Sequence, residues 1–279
     1  MNLEEFIEYT IKEDLNDEVD HTSHACIKNT NHTTAQLLIK DSGIIAGVEL
    51  AELIFNKLDP KLQFEKILND GDIVKPGQIA FKVTGPPISI LTSERTVLNC
   101  MQRMSGIATT TAQYVEKIQK YKSKILDTRK TTPLMRYLEK WAVRIGGGFN
   151  HRFGLYDMIL IKDNHVDYAG GISNALMLVK KYLQTNKLNL KVEIETRNLI
   201  EVREVLKFDI ADRIMLDNFA PAEIKNALDE IDGRTETEAS GGINLNSIEA
   251  YAKTGVDYIS VGALTHSVKS LDMSLKAAI

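Results

Sequence analysis

The sequence predicts an α/β protein, a parallel α/β barrel preceded by a smaller α+β domain. Three observations carry this. From about residue 123 short β-rich runs recur at 124–127, 158–162, 192–195, 213–217, 235–240 and 258–262. Helix-period segments follow most of them, at 134–145, 198–206, 221–231 and 245–253, the spacing of parallel strands joined by helical crossovers. Each run also closes on polar or glycine residues: Asp127-Thr128-Arg129-Lys130, Lys162-Asp163-Asn164-His165, Glu195-Thr196-Arg197, Asp217-Asn218, Ser240-Gly241-Gly242 and Gly262-Ala263. An open doubly wound sheet shares the alternation. The strand ends favour the barrel, whose parallel strands bring all their C-terminal ends to one mouth, where barrels do their chemistry.

Ahead of the barrel the pattern changes. Residues 33–85 hold alternating runs at 35–39, 44–48, 63–68 and 79–83, one helical stretch at 49–58, and the turn-rich Asp70-Gly71-Asp72-Ile73-Val74-Lys75-Pro76-Gly77, which together read as a small α+β domain. A helical region over 91–120, with a break near Ser105-Gly106, leads into the barrel. The expected domains are 1–107, completed by a C-terminal helix over 267–279, and 108–266.

Composition bounds the function. The 279 residues are 43% hydrophobic and 26% charged, enough for one substantial core and a second smaller one. Two cysteines, Cys26 and Cys100, make no disulfide framework, and the acidic stretch 1–14 lacks the order of a signal peptide, so a reducing, cytoplasmic compartment is expected. No apolar run approaches the ~18 residues that span a bilayer. A net charge of −4 gives no reason to expect nucleic acid or an anionic membrane as partner.

That balance hides an asymmetry. Between Arg95 and Lys162 stand 13 Lys and Arg against four Asp and Glu. A solvated basic helix face accounts for 117–124. Arg129, Lys130, Arg152 and Lys162, with His151 beside them, instead fall at strand ends. At ~8 Å and an effective dielectric of ~20 each like-charge pair repels by about 2 kcal/mol, so such a group implies an anion unless each cation has a neighbouring acid. A second anion subsite is offered by Ser240-Gly241-Gly242-Ile243-Asn244, read as leaving a strand and opening a helix, with Gly262 closing the last strand; backbone N–H groups there can hold a phosphate. A plain tight turn explains the Gly pair equally well. Between the two lie Glu195 and Asp217, able to accept from ribose hydroxyls or hold Mg²⁺, or else to pair with Lys162 or Arg197.

These residues resemble a family. Ser93-Glu94-Arg95-Thr96-Val97-Leu98-Asn99, Asp127-Thr128-Arg129-Lys130-Thr131-Thr132-Pro133, Gly146-Gly147-Gly148-Phe149-Asn150-His151-Arg152, Ile161-Lys162-Asp163-Asn164-His165 and Glu238-Ala239-Ser240-Gly241-Gly242-Ile243 are similar to the strings of the quinolinate phosphoribosyltransferases, in order over nearly the whole chain. The resemblance implies an N-terminal α/β sandwich and an incomplete barrel of about seven strands, assembled as a homodimer or larger. It implies transfer of phosphoribosyl from phosphoribosyl pyrophosphate to quinolinate with decarboxylation, with Mg²⁺ and no organic cofactor. Arg95, Thr128, Arg129, Lys130, His151, Arg152 and Lys162 would surround quinolinate and phosphates, Arg95 being shared between subunits. Glu195 and Asp217 would bind ribose and Mg²⁺, and Ser240, Gly241, Gly242, Gly262 and Ala263 the 5′-phosphate. Lys130, Lys162, Glu195 and Asp217 are the expected catalytic groups. Many relatives have Gly after Thr-Thr-Pro, where this chain has Leu134.

Two other readings stand beside this one: a phosphate-binding barrel lyase with Lys162 as Schiff base, and a repurposed member of the family associated with molybdate transport. His21, His24 and His32 lie in a polar connecting stretch without zinc-type spacing and read as surface histidines. Met101, Met104 and Trp141 read as packing residues.

Overall fold

Residues 2–28 and 31–278 are described by the computed structural model. In chain order the elements are α1 (Leu3–Leu15), α2 (His21–Cys26), β1 (Thr33–Ile39), β2 (Gly43–Ile44), α3 (Val48–Leu58), β3 (Gln63–Lys66), β4 (Ile73–Val74), β5 (Ile79–Gly85), α4 (Pro87–Ile118), β6 (Lys124–Leu126), α5 (Arg136–Ile145), β7 (Ile159–Ile161), α6 (Asp163–Ala169), α7 (Ile172–Asn186), β8 (Val192–Thr196), α8 (Leu199–Val205), β9 (Arg213–Asp217), α9 (Pro221–Ile231), β10 (Glu236–Ser240), α10 (Ile248–Ala252), β11 (Tyr258–Ser260), α11 (Ala263–His266) and β12 (Met273–Ala277). The chain divides into two compact units. One takes the residues up to Ala112, Thr131–Gly147 and those from Leu264 on; the other takes Gln113–Lys130 and Gly148–Ala263.

The first unit is built on an antiparallel sheet in the order β12-β1-β5-β3. In β1 every second residue, Ala35, Leu37 and Ile39, turns into the core, the period of a sheet with one buried face. Helix α3 buries Val48, Leu50, Ala51, Ile54 and Phe55, and Phe55 meets Phe81 edge-on at 5.8 Å between ring centroids. The C-terminal helix expected over 267–279 is instead strand β12, with Leu275 opposite Leu37 and Met273 opposite Ile39. The open edge of β1 leaves backbone groups to be paired, and an alternating Met-Ser-Leu segment satisfies them while burying two apolar side chains.

Helix α4 runs without the break expected near Ser105-Gly106. Ser105 is buried, its Oγ accepting from the Ala46 N–H at 2.9 Å. A Cβ on Gly106 would sit 2.3 Å from the Lys269 carbonyl oxygen, so this glycine allows a close approach rather than ending the helix. Met101 and Met104 are fully buried, as packing residues should be. Arg103 on α4 pairs with the fully buried Glu139 of α5 at 2.7 Å. Helices α1 and α2 were not expected; α1 starts on a capping box between Asn2 and Glu5, and His21 and His24 lie on α2 rather than in a connecting stretch.

The second unit holds six parallel strands in the order β6-β11-β10-β9-β8-β7. In place of a full seventh strand there is a single parallel bridge from Leu126 to Phe149, directly after Gly146-Gly147-Gly148, with Gly147 at φ 86°. Three glycines without side chains to pack cannot hold an extended ladder. All five residues of β8 are buried, as in parallel sheets covered on both faces. Among the described residues no helix is long and apolar enough to cross a membrane.

Candidate active site

Of the fourteen residues expected to bind substrate, thirteen belong to the second unit, at or just beyond the C-terminal ends of its strands; Arg95 lies on α4 in the first. The parallel register, with Leu126 opposite Ser260, Ser240 opposite Asp217 and Ile161 opposite Ile194, brings those strand ends to one edge of the sheet.

The segment after β6 is anchored by Asp127, whose carboxylate is fully buried. It accepts from the His151 N–H at 2.8 Å and from Asn150 Nδ2 at 2.5 Å, tying 149–151 to the end of β6. Thr128 and Arg129 are half-buried, and Lys130 is exposed. The Arg129 Nε is buried with no hydrogen-bond partner. Arg152 donates from Nη1 to the Met158 carbonyl at 3.2 Å. Burial, and after it the Arg129 guanidinium, pushes Arg152 below the usual arginine value. Two cations that oppose each other in a partly desolvated place, one with an orphaned donor, are arranged to receive an anion.

On the neighbouring strands the carboxylates collect. Glu195, at the end of β8, is buried and lies 4.0 Å from Lys162 Nζ, which is itself 52% exposed. Burial pushes Glu195 above its usual value, the Asp217 charge adds to this, and Lys162 opposes it. A buried carboxylate raised further by the charge of a neighbouring one suits a divalent cation, which would relieve the repulsion. Asp217 is half-buried and accepts from Asn218 Nδ2 at 2.6 Å.

Beyond β10 the expectation of a helix opening at the Gly pair is corrected. Helix α10 starts only at Ile248 and spans five residues. Asn244 and Ser247 close a turn of their own, Asn244 N–H to Ser247 Oγ at 3.1 Å and Ser247 N–H to the Asn244 carbonyl at 3.0 Å, which uses up the groups a continuous helix would need. Gly241 (φ 98°) and Gly242 (φ 62°) are instead a left-handed pair. A Cβ on Gly241 would lie 2.9 Å from the Asn218 backbone nitrogen, so the backbone itself requires glycine there, and successive N–H groups in such a turn form a concavity for an anion. Gly262 stands between β11 and the short α11, whose first residue is Ala263.

Two carboxylates escaped the sequence reading. Glu193 and Glu238 are buried inside the sheet, with His151 Nε2 3.0 Å from Glu193 and 3.5 Å from Glu238. Arg213 Nη1 lies 3.0 Å from Glu238 and 3.9 Å from Glu193. Burial pushes both acids up to about 7; in Glu238 the charge of Glu193 adds to it. The nitrogen of His151 and one oxygen of each acid lie within 4.8 Å of one another, a spacing that could hold a metal ion, but Arg213 already supplies the cation. Period 2 held the signal: Glu193 shares a strand face with Glu195, and Glu238 with Ser240.

A model of the family described as "Quinolinate phosphoribosyl transferase, C-terminal domain" matches residues 107–276, and one for its N-terminal domain matches residues 20–105. The chain is 48% identical to quinolinate phosphoribosyltransferase [decarboxylating] 1b of Nicotiana tabacum, over 99% of this chain and 82% of that protein. It is 45% identical to the probable nicotinate-nucleotide pyrophosphorylase [carboxylating] of Bacillus subtilis, over 88% and 83%. Among solved structures, the nicotinate-nucleotide pyrophosphorylase from Francisella tularensis is 41% identical with a TM-score of 0.90, covering 99% of this chain and 95% of that one.

Proposed function

The chain belongs to the quinolinate phosphoribosyltransferase family, and from that premise we propose how its own residues carry the reaction. The enzyme transfers phosphoribosyl from phosphoribosyl pyrophosphate to quinolinate with decarboxylation, giving nicotinate mononucleotide, CO₂ and pyrophosphate, a step of pyridine nucleotide biosynthesis. The observation that carries the assignment of the pocket is the opposition of Arg129 and Arg152, with the Arg129 Nε buried and unpartnered.

Quinolinate is a dianion, and each charge-assisted bond to it contributes ~1.5–3 kcal/mol. Arg129 and Arg152 offer planar forks to its carboxylates, while Lys130 and Lys162 act as point charges. Glu195 and Asp217 accept from the ribose hydroxyls and favour the positive charge that develops at the ribose C1 as pyrophosphate departs. They are also the residues that would hold Mg²⁺, since the Asp217 charge adds to burial in raising Glu195. When bound, Mg²⁺ supplies countercharge to the pyrophosphate. The left-handed turn at Gly241-Gly242, with Ser240, Gly262 and Ala263, takes the 5′-phosphate through backbone N–H groups.

The ring nitrogen of quinolinate attacks C1 and becomes a pyridinium. Loss of CO₂ from the adjacent carbon leaves a carbanion beside N⁺, so the substrate is its own electron sink and no organic cofactor is needed. Lys130 delivers the final proton. Arg95 is exposed and makes no ion pair among the described residues, which supports its reaching the site of a partner subunit in a homodimer or larger assembly. The unpaired Cys26 and Cys100 fit a reducing cytoplasm. The lyase reading is not retained, since the family match spans nearly the whole chain, and the molybdate-associated reading is not favoured, since the relatives at 48% and 45% identity carry the names of the decarboxylating transferase.

Purified protein with quinolinate, phosphoribosyl pyrophosphate and Mg²⁺ should release CO₂ and pyrophosphate in equal amounts. Pyrophosphate without CO₂, or neither product, overturns the proposal.

A further inference from the structure

His151, the residue before Arg152, has a side chain only 6% exposed. Its Nδ1 accepts a hydrogen bond from the Arg152 backbone N–H at 2.7 Å. An accepting ring nitrogen carries no proton, so the proton of the neutral ring is on Nε2. That nitrogen points inward, 3.0 Å from Glu193 and 3.5 Å from Glu238. Nδ1 is therefore taken up by the Arg152 backbone, while Nε2, buried and without a hydrogen bond of its own, lies against the two carboxylates.

We propose that Glu193 and Glu238 are positioning residues for the substrate pocket: they hold His151 as its Nε2–H tautomer, and His151 in turn holds the Arg152 backbone and aims its guanidinium. The inference rests on the reading of the pocket as the quinolinate site. It reassigns His151 from a substrate contact to the link between a buried acid pair and a substrate arginine.

Each part of the chain of contacts is specific. His151 is fixed on its backbone side as well, because its own N–H donates to the buried Asp127 at 2.8 Å. A ring held at the backbone and at Nδ1, with Nε2 beside two buried carboxylates, has one orientation. Glu193 also attracts the Arg152 guanidinium directly and opposes the effect of Arg129 on it. The acid pair is held from behind: Arg213 from β9 pairs with Glu238 at 3.0 Å, reaches Glu236 at 3.1 Å, and lies 3.9 Å from the centre of the Tyr258 ring of β11. The arrangement parallels the way metal-binding histidines are oriented by a carboxylate on their far nitrogen, with an arginine backbone in place of the metal.

The test is to compare wild type with Glu193→Ala, Glu193→Gln, Glu238→Gln and Arg152→Ala by steady-state kinetics and by nitrogen NMR of ¹⁵N-histidine protein. Wild type should show His151 with an unprotonated Nδ1 and a protonated Nε2. Glu193→Ala should raise KM for quinolinate about tenfold or more while KM for phosphoribosyl pyrophosphate moves less than about threefold, and it should mix the His151 tautomers. Glu193→Gln and Glu238→Gln keep an acceptor for Nε2–H and should retain the tautomer, with a rise in KM for quinolinate of about half the Ala effect on a logarithmic scale. In an Arg152→Ala background, Glu193→Gln should add nothing further. If Glu193→Ala does not fold, the Gln variants and the double mutant decide. Unchanged KM for quinolinate in the Gln variants, additive effects in the double mutant, or a wild-type His151 protonated at Nδ1 each overturn the inference. Failure of the wild type to consume quinolinate would overturn the functional reading instead, and the tautomer measurement stands apart from it.

Discussion

Lys162 Nζ stands 4.0 Å from Glu195 Oε2, at the ends of the adjacent strands β7 and β8, with half of the lysine side chain still open to solvent. A contact so long and wet contributes little to the fold, so the charge of Lys162 is available to a ligand. Lys162→Ala should weaken quinolinate binding by about 2 kcal/mol and leave the melting temperature within about 2 °C of wild type. Titration calorimetry and melting read both at once; a large loss of melting temperature with unchanged affinity would mean that the ion pair is the lysine's main role.

Substrate selection follows from the same charges. Nicotinate lacks the carboxylate beside the ring nitrogen, so it leaves a cation of the pocket unpaired. Its kcat/KM should fall below that of quinolinate by about 100-fold or more. Equal turnover of the two acids would remove the basis for the pocket assignment.

Stability should depend on pH through Glu238. Its ordinary value is 4.5 and burial raises it to about 7 in the folded protein. An acid raised on folding stabilises most below its unfolded value, and this contribution is lost as the pH climbs through the folded one. Wild-type melting temperature should therefore fall between pH 5.5 and pH 8, by roughly 2 kcal/mol in stability terms. Glu193, raised to about 7 by the same burial, contributes with the same sign, so Glu238→Gln, which removes one of the two acids, should show a shallower slope in calorimetric melts.

Leu134 occupies the left-handed region at φ 65° with its side chain 72% exposed. A residue with a Cβ is strained there by roughly 1–2 kcal/mol, while glycine adds about 0.5–1 kcal/mol of unfolded-chain entropy. Leu134→Gly should be neutral to stabilising, by up to about 1 kcal/mol, in urea unfolding. A clear loss of stability would show that the exposed leucine makes a contact that offsets its strain.

Arg95 and Lys162 lie in different units of the chain. If the partner subunit's Arg95 completes each site, Arg95→Ala and Lys162→Ala proteins should each be nearly inactive, yet recover about one quarter of wild-type activity when unfolded and refolded together. Half the dimers are then mixed, and each mixed dimer carries one intact site. Mixed dimers that form and stay inactive would return Arg95 to its own subunit.

Local pattern was enough to mark the strand at 213–217, the strand at 192–195 that extends to Thr196, the helix at 221–231, and the buried Met101 and Met104, because β-rich runs and period 3.6 are properties of neighbours in sequence. The strand-end composition could likewise be read without coordinates, since parallel connections order those ends by topology alone. Other features depend on partners far away along the chain. Leu275 is in a strand because Leu37 offers it an edge, Gly106 within α4 serves the close approach of the Lys269 backbone, and the Gly241 turn is set by the backbone of Asn218. The direction of a side chain at a strand end is decided the same way: His151 turns inward to Glu193 and Glu238, 42 and 87 residues further on, because its own N–H is tied to the buried Asp127 and its Nδ1 to the Arg152 backbone, contacts that exist only in the folded protein.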